Sequence, residues 1–366
     1  MKKNAPLPCK TMPLRLDNVD AAARAAGFDA MLVHGRANSR YLSGFPCSNS
    51  LVIISRNARV FLTDFRYIEG AAETIAHMEV RRGAQRLPAE AAVLLKALNP
   101  TRVGIEGSLP LAVYETLAKG LGRRRLAVAD DVLASVRSVK DPHEIALIEA
   151  NQRLNERVYA RVLAAARTGM TERAIRRMIR MAMDEHDAEE AFDSIVAVGP
   201  NSSRPHAVAG LGRVRRGTYL LVDMGVRRDH YHSDMTRTVG WGRLTERHRE
   251  IYNVVLEAQK RALATIRAGV AARDVDAAAR DHIRDAGYGD AFQHGTGHGV
   301  GLEIHEAPTL NPLSTDILRE GQVVTVEPGI YVPGFGGVRI EDLVVVTSTG
   351  CRNLTRAPKR LREIME

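Results

Sequence analysis

The sequence predicts two domains, an α/β domain with a mixed sheet over residues 1–137 and an α+β domain over 138–366 built from two similar halves. Three observations predict this. From Leu14 to Arg137, short apolar runs alternate with helical patterns. At Asp141-Pro142-His143-Glu144 a helix starts afresh, with Asp as N-cap, Pro at the first turn and Glu144 placed to complete a capping box. Beyond it, a pair of amphipathic helices followed by two apolar runs occurs twice, and every one of those runs carries an acidic residue.

In the first domain, Leu14, Leu16, Val19 and Ala23 give a helix that Gly27 ends. Ala30-Met31-Leu32-Val33 reads as a buried strand. Leu51-Val52-Ile53-Ile54 and Val60-Phe61-Leu62-Thr63 form a hairpin across a polar Arg-Asn turn. A helix near Tyr67, a strand at Val80, a helix from Ala89 and a strand from Arg102 to Ile105 follow. The segment from Asn38 to Phe45 is polar and aromatic, and is expected as a loop between elements. No phosphate-binding glycine loop is present.

In the second domain, Ile145, Ile148, Leu154, Val158 and Val162 carry a long helix to Gly169, and Thr171 caps the next. Phe192 to Asn201 is a strand entering a turn, with His206 beyond it. Read alone, His206 is either a surface residue or an acid–base group. Asp223 ends one apolar run and Asp234 lies in the next, expected as a strand through Val239. Helices from Glu246 (capped by Thr245) and from Arg273 lead to the stretch Gln293-His294-Gly295-Thr296-Gly297-His298-Gly299-Val300-Gly301-Leu302-Glu303-Ile304-His305-Glu306. Its four glycines disfavour a helix, at about 1 kcal/mol each against Ala, and let the backbone pass close to a ligand. Leu302 and Ile304 then alternate with Glu303 and His305 as in a short strand. Glu327 ends another apolar run, and Glu341 lies in a predicted strand from Val338 to Val346.

Carboxylates are almost never buried unpaired. Salt bridges to Arg237 or Arg339 would explain any one of the four. Four in matched positions, joined by His298, point instead to a metal site. Their charge of −4 is balanced by two divalent cations and not by one, and carboxylate-bridged metal pairs recur in hydrolysis. Four oxygen donors and one imidazole suit Mn²⁺ or Co²⁺, with Zn²⁺ or Fe²⁺ as further candidates.

Composition narrows the class. Apolar residues at 45% and charged ones at 26% describe a globular protein. The net charge of +9 invites a nucleic-acid reading, but the short arginine runs lack interleaved aromatics, so no specific nucleic-acid binding is expected. Cys9, Cys47 and Cys351 are too scattered for a disulfide framework and fit a reducing cytosol. Met1-Lys2-Lys3 is followed by Asn4, Pro6, Pro8, Lys10 and Pro13, which interrupt any signal-peptide core. No apolar run approaches a membrane span. The expectation is a soluble cytoplasmic protein without membrane attachment.

Asp223, Asp234, His298, Glu327 and Glu341, in that order, resemble the ligand set of the M24 metallopeptidases, whose catalytic domain has the "pita-bread" fold. Segments 192–196, 199–202, 205–206, 232–238, 294–306, 326–329 and 338–342 resemble the Xaa-Pro branch of that family. Ala207 departs from it, standing where Gly commonly follows the histidine. The likeness spans 140–366, and the first domain more loosely resembles the creatinase/prolidase N-terminal domain. Methionine aminopeptidases share the ligands without such a domain, and creatinase lacks the full metal set.

By that resemblance Asp223 binds one metal, Asp234 and Glu341 bridge two, and His298 and Glu327 complete the other. Glu327 would shuttle a proton, His206 and His305 would hydrogen-bond the carbonyl oxygen and tetrahedral intermediate, and His294 and Arg339 would orient substrate or ligands. The implied activity is removal of the residue before proline from a di- or oligopeptide, by a homodimer. Aminopeptidase and dipeptidase (prolidase) differ in whether the pocket meets the proline carboxylate. Prolidase-like sequences often carry an Arg where this chain has Thr309, which leans toward aminopeptidase, although Arg40, Arg204 or Arg339 would serve instead. The alternative reading is a catalytically inactive pita-bread module that binds peptides or proteins.

Overall fold

The computed structural model describes residues 11–83 and 86–366. The N-terminal lysine segment and Cys9 lie outside them. The chain divides into two compact units, the first ending at Arg137 and the second beginning at Ser138.

In the first unit the helices are α1 (Met12–Ala25), α2 (Arg36–Ser43), α3 (Ile68–Thr74), α4 (Leu87–Leu98), α5 (Leu111–Leu121) and α6 (Asp130–Ser138), the last running into the boundary. The strands are β1 (Ala30–Val33), β2 (Ser50–Ser55), β3 (Ala58–Thr63), β4 (Glu79–Arg82), β5 (Val103–Ile105) and β6 (Leu126–Val128). They form one mixed sheet in the order β4-β3-β2-β1-β5-β6. The β1–β2 and β2–β3 pairs are antiparallel, the others parallel. Leu32, Ile53, Leu62 and Ile105 pack with Ala91 and Leu95 of α4 and Leu117 of α5. The stretch expected as a loop after Asn38 is mostly helical. Ser39, Tyr41 and Leu42 are buried on α2, and Gly44 ends it at φ +71°. Its burial is a tertiary effect that local polarity does not reveal.

The second unit opens with α7 (Pro142–Ala165), whose Asp141–Glu144 capping box forms as the sequence predicts, and α8 (Glu172–Asp184), capped by Thr171. Strands β7 (Glu189–Glu190), β8 (Ile195–Val198), β9 (Thr218–Met224), β10 (Val226–Arg228), β11 (Tyr231–His232) and β12 (Met235–Trp241) follow. Then come α9 (Glu246–Thr265), α10 (Ala272–Ile283), β13 (Gly297–Gly299), β14 (Glu306–Leu310), β15 (Val323–Val326), β16 (Gly329–Val332), β17 (Gly336–Arg339), β18 (Asp342–Val346), β19 (Cys351–Asn353) and β20 (Glu363–Ile364). The two halves have separate sheets, ordered β20-β12-β9-β8 and β14-β13-β15-β18-β19. Each half also has its own core. Leu154, Ile175, Ile179, Val222 and Val239 pack in one, and Ile251, Val275, Ile283, Val326 and Val344 in the other.

Three expected strands are revised. Asp234 and Glu341 lie immediately before β12 and β18 rather than inside strands. At Asp234 the chain is still leaving a turn, where Val226 N donates to Ser233 Oγ and Ser233 N to Val226 O. At Ile340-Glu341 the predicted single strand breaks between two sheets, and Glu341 N donates to Thr236 O in the other half. The segment from Leu302 to His305 is a turn, with Gly301 N bonded to Glu303 O and strand pairing beginning only at Glu306.

Candidate metal centre

The two halves meet where β12 faces the break before β18. Thr238 Oγ1 donates to Arg339 O at 3.0 Å, and Arg339 N donates to Thr238 Oγ1 at 3.2 Å. This seam brings Asp223, opposite Thr236 in the β9–β12 ladder, and Asp234 to Glu341 and Glu327. His298 arrives on β13. Gly297 and Gly299 flank it because a Cβ there would lie 2.0 Å from Thr325 O and 2.3 Å from Ala307 O. The close approach at these two glycines is thus to neighbouring backbone, whereas the sequence suggested a ligand.

Asp223, Asp234 and Glu341 are each at most 8% exposed. Donor atoms of Asp234, His298 and Glu341 all lie within 4.8 Å of one another. His298 Nε2 is 3.2 Å from Glu327 Oε1 and 3.7 Å from Asp234 Oδ2. Arg339 donates through Nη2 to Asp223 Oδ2 at 2.6 Å. Thr236 Oγ1 donates to Glu341 Oε2 at 2.8 Å and accepts from Arg339 Nε at 3.0 Å. Arg237, the other arginine considered as a partner, pairs with Asp342 instead.

One oxygen of each of three carboxylates, Asp223 Oδ1, Asp234 Oδ1 and Glu341 Oε1, is buried without a hydrogen-bond partner. Buried polar atoms are ordinarily satisfied. Burial, and after it the neighbouring carboxylates, push Asp234 and Glu341 well above the usual carboxylate range. Burial also raises Asp223, against the pull of Arg339. Burial works the same way on Glu327, but the hydrogen bond and charge of His298 overcome it and hold that carboxyl at about 2. Unpartnered acceptor oxygens crowded beside an imidazole fit divalent cations in both donor chemistry and charge.

All nine residues singled out in the sequence line one cavity of about 520 Å³: Asp223, Asp234, His298, Glu327, Glu341, His206, His305, His294 and Arg339. His206 and His305 are exposed on its wall. The His305 ring stacks edge-on to His298 at 4.3 Å between centroids. His294 Nε2 is bonded to the Tyr331 hydroxyl at 2.8 Å, which accepts from Arg339 Nη1 at 2.6 Å. Of the arginines considered for a substrate carboxylate, Arg339 is committed to these bonds, Arg204 is not on the lining, and Arg40 belongs to the other unit.

Sequence reading missed four supporting residues. Thr236 lies in β12 beside Arg237 and Thr238, so nothing singles it out, and Tyr331 is the one hydroxyl of β16. Asp276 on α10 accepts from Thr296 N and Oγ1 and is gripped by Arg280, fixing the backbone that leads to His298. Arg176 on α8 also lines the cavity.

The description "Metallopeptidase family M24" matches residues 146–348, and "Creatinase/Prolidase N-terminal domain" matches 15–139. A Xaa-Pro dipeptidase of Pyrococcus horikoshii is 36% identical over 337 residues, covering 91% of this chain and 94% of that one. The solved Xaa-Pro dipeptidase from Bacillus anthracis superimposes with a TM-score of 0.91 at 36% identity, over 95% of this chain and 98% of its own. An X-Pro aminopeptidase from Thermotoga maritima does so at 0.85 and 36%, over 94% and 100%.

Proposed function

The chain belongs to metallopeptidase family M24, hydrolases acting on peptide bonds, and from that premise we propose a metal-dependent exopeptidase that removes the residue preceding proline from dipeptides or short peptides. The observation that carries the reading is the buried cluster of unpartnered carboxylate oxygens beside His298 on a cavity wall. Relatives named for both dipeptidase and aminopeptidase activity support the proline preference without deciding between them.

In this reading Asp223, Asp234, His298, Glu327 and Glu341 hold two divalent ions, Mn²⁺ or Co²⁺ foremost. Four carboxylates carry −4 and Arg339 returns +1, so the buried site has an excess of negative charge that divalent cations offset, and the count of two rests on the resemblance to the M24 ligand set. Bound there, divalent cations supply Lewis acidity and lower the pKa of water. The protein's own groups do the rest. Arg339 fixes Asp223, and Thr236 fixes Glu341, so that the carboxylates keep their orientation as substrate enters. Glu327 takes and returns a proton, the role that the family resemblance gives it. His206 and His305, exposed on the wall, donate to the oxygen that gains negative charge as the carbonyl is attacked. His294 works through Tyr331 to keep Arg339 in place.

The domain boundary at 137/138, a cytoplasmic site of action and a homodimer complete the proposal. Among the described residues no helix is long and apolar enough to cross a membrane. The test is cleavage of Ala-Pro peptides by the Mn²⁺-loaded protein, compared with the same protein after chelation. Release of alanine only in the loaded sample supports the reading, and turnover that survives chelation sinks it.

A further inference from the structure

Two segments that line the cavity differ in charge. Ile195 is the ladder partner of Asp223, so the residues just before it, Asp193 and Ser194, reach the cavity beside Asp223. Thr309 is the ladder partner of His298, so β14 reaches the cavity beside His298. Thr309 and Asn311 bring no charge there. The first segment meets Arg176, whose guanidinium is held by the half-buried Glu190, at 3.3 Å from Nε and 3.2 Å from Nη2. Its other contact is Asp193, 2.5 Å from Nη2, and the Asp193 side chain is 90% exposed.

These two contacts have different worth. Glu190 is 14% exposed in its side chain and also accepts from Ser194 N, so it fixes the arginine and the strand entrance together. Asp193 returns to water at little cost if it lets go, because an exposed ion pair contributes about 0–1 kcal/mol. The arginine is therefore held through Nε and Nη2 by a largely buried carboxylate, and through Nη2 by an exposed one that another carboxylate can replace. A guanidinium presents a planar fork matched to that group.

We propose that Arg176 is the carboxylate-recognising residue of this cavity, exchanging Asp193 for a carboxylate of the substrate. This rests on the Xaa-Pro peptidase reading above. A substrate offers that chemistry from two sources: the α-carboxylate of a C-terminal proline, or an acidic side chain on the residue before proline. In the first case Arg176 supplies the charge that Thr309 does not, and the protein is a dipeptidase. In the second it sets a preference for an acidic first residue.

The experiment compares Mn²⁺-loaded wild type, Arg176→Gln and Asp193→Asn on two substrate pairs. Ala-Pro against Ala-Pro-amide reports the proline carboxylate, and Glu-Pro-amide against Gln-Pro-amide reports the side chain. The readout is the ratio of kcat/KM within each pair. For one pair the wild-type ratio favours the carboxylate, Arg176→Gln lowers it by roughly 10- to 100-fold, as expected for a lost charged hydrogen bond, and Asp193→Asn raises it. The pair that responds identifies the source. Ratios unchanged in both pairs, or an equal fall on all four substrates in Arg176→Gln, overturn the assignment and leave the arginine a purely structural ion-pair partner. A wild type that cleaves none of the four overturns the Xaa-Pro reading itself, and the assignment with it.

Discussion

Replacing Thr236 by Val isolates one hydroxyl at the seam of the two halves. Thr236 is fully buried, donates to Glu341 Oε2 at 2.8 Å and accepts from Arg339 Nε at 3.0 Å. Valine has nearly the same shape, so the change removes two hydrogen bonds without opening a cavity. Arg339 is a charged partner, whose bonds contribute about 1.5–3 kcal/mol, and the buried Glu341 carboxyl left without its donor costs about 1–3 kcal/mol. Arg339 keeps its bonds to Asp223 and Tyr331, which places its share at the low end. Glu341 keeps Oε1 without a partner and loses the donor on Oε2. The expected loss in the metal-free protein is about 3 kcal/mol, less than full additivity because the two bonds share one network. Trp241, the single tryptophan, is buried on the same strand and reports unfolding of this unit by fluorescence in urea. Metal affinity should fall by about 10- to 100-fold, the usual cost of losing a group that orients a ligand. A variant that unfolds at the wild-type urea concentration and titrates with Mn²⁺ at wild-type affinity would refute this account of the seam.

Three further outcomes are expected. His298→Ala should lower metal content and turnover together, measured by elemental analysis and peptide hydrolysis. His206→Ala and His305→Ala should keep their metal while kcat falls by about 10²–10³-fold, as for a lost oxyanion donor; loss of metal from His305→Ala and its retention by His298→Ala would reverse the roles. Lys140→Met should destabilise the second unit by about 3 kcal/mol in the Trp241 transition, because it removes the cation 2.7 Å from Glu306 in a pair whose side chains are 1% and 9% exposed.

Seven of the nine candidate residues were legible as local irregularities, whereas His206 and Arg339 were assigned through the resemblance to the M24 family. Carboxylates at the ends of apolar runs, and histidines among glycines, violate the expected pattern of burial without needing a partner to be seen. The capping box at Asp141 and the caps at Thr171 and Thr245 were legible for the same reason, as each is complete within four residues. What stayed hidden depends on residues far apart in sequence. Thr236 acts on Glu341 and Asp276 on Thr296, and Arg176 matters because β8 brings Asp193 to it. The break at Ile340-Glu341 has no turn signal, since neither Gly nor Pro occurs from Val338 to Val346. It exists because the chain there passes from the sheet that faces β12 to the sheet that continues from β15. The burial of α2 likewise follows from what packs against it, and Asn38 to Phe45 alone reads as loop.

The central claim is that this cavity holds divalent cations in order to cleave before proline. The most direct measurement incubates the Mn²⁺-loaded and the chelated protein with Ala-Pro-Leu, Ala-Pro and Ala-Ala-Leu, and identifies the products by mass. The account predicts alanine released from a proline-containing substrate by the loaded protein, little from Ala-Ala-Leu, and none from any substrate after chelation until Mn²⁺ is restored. Equal cleavage of Ala-Ala-Leu, or cleavage indifferent to chelation, would contradict it.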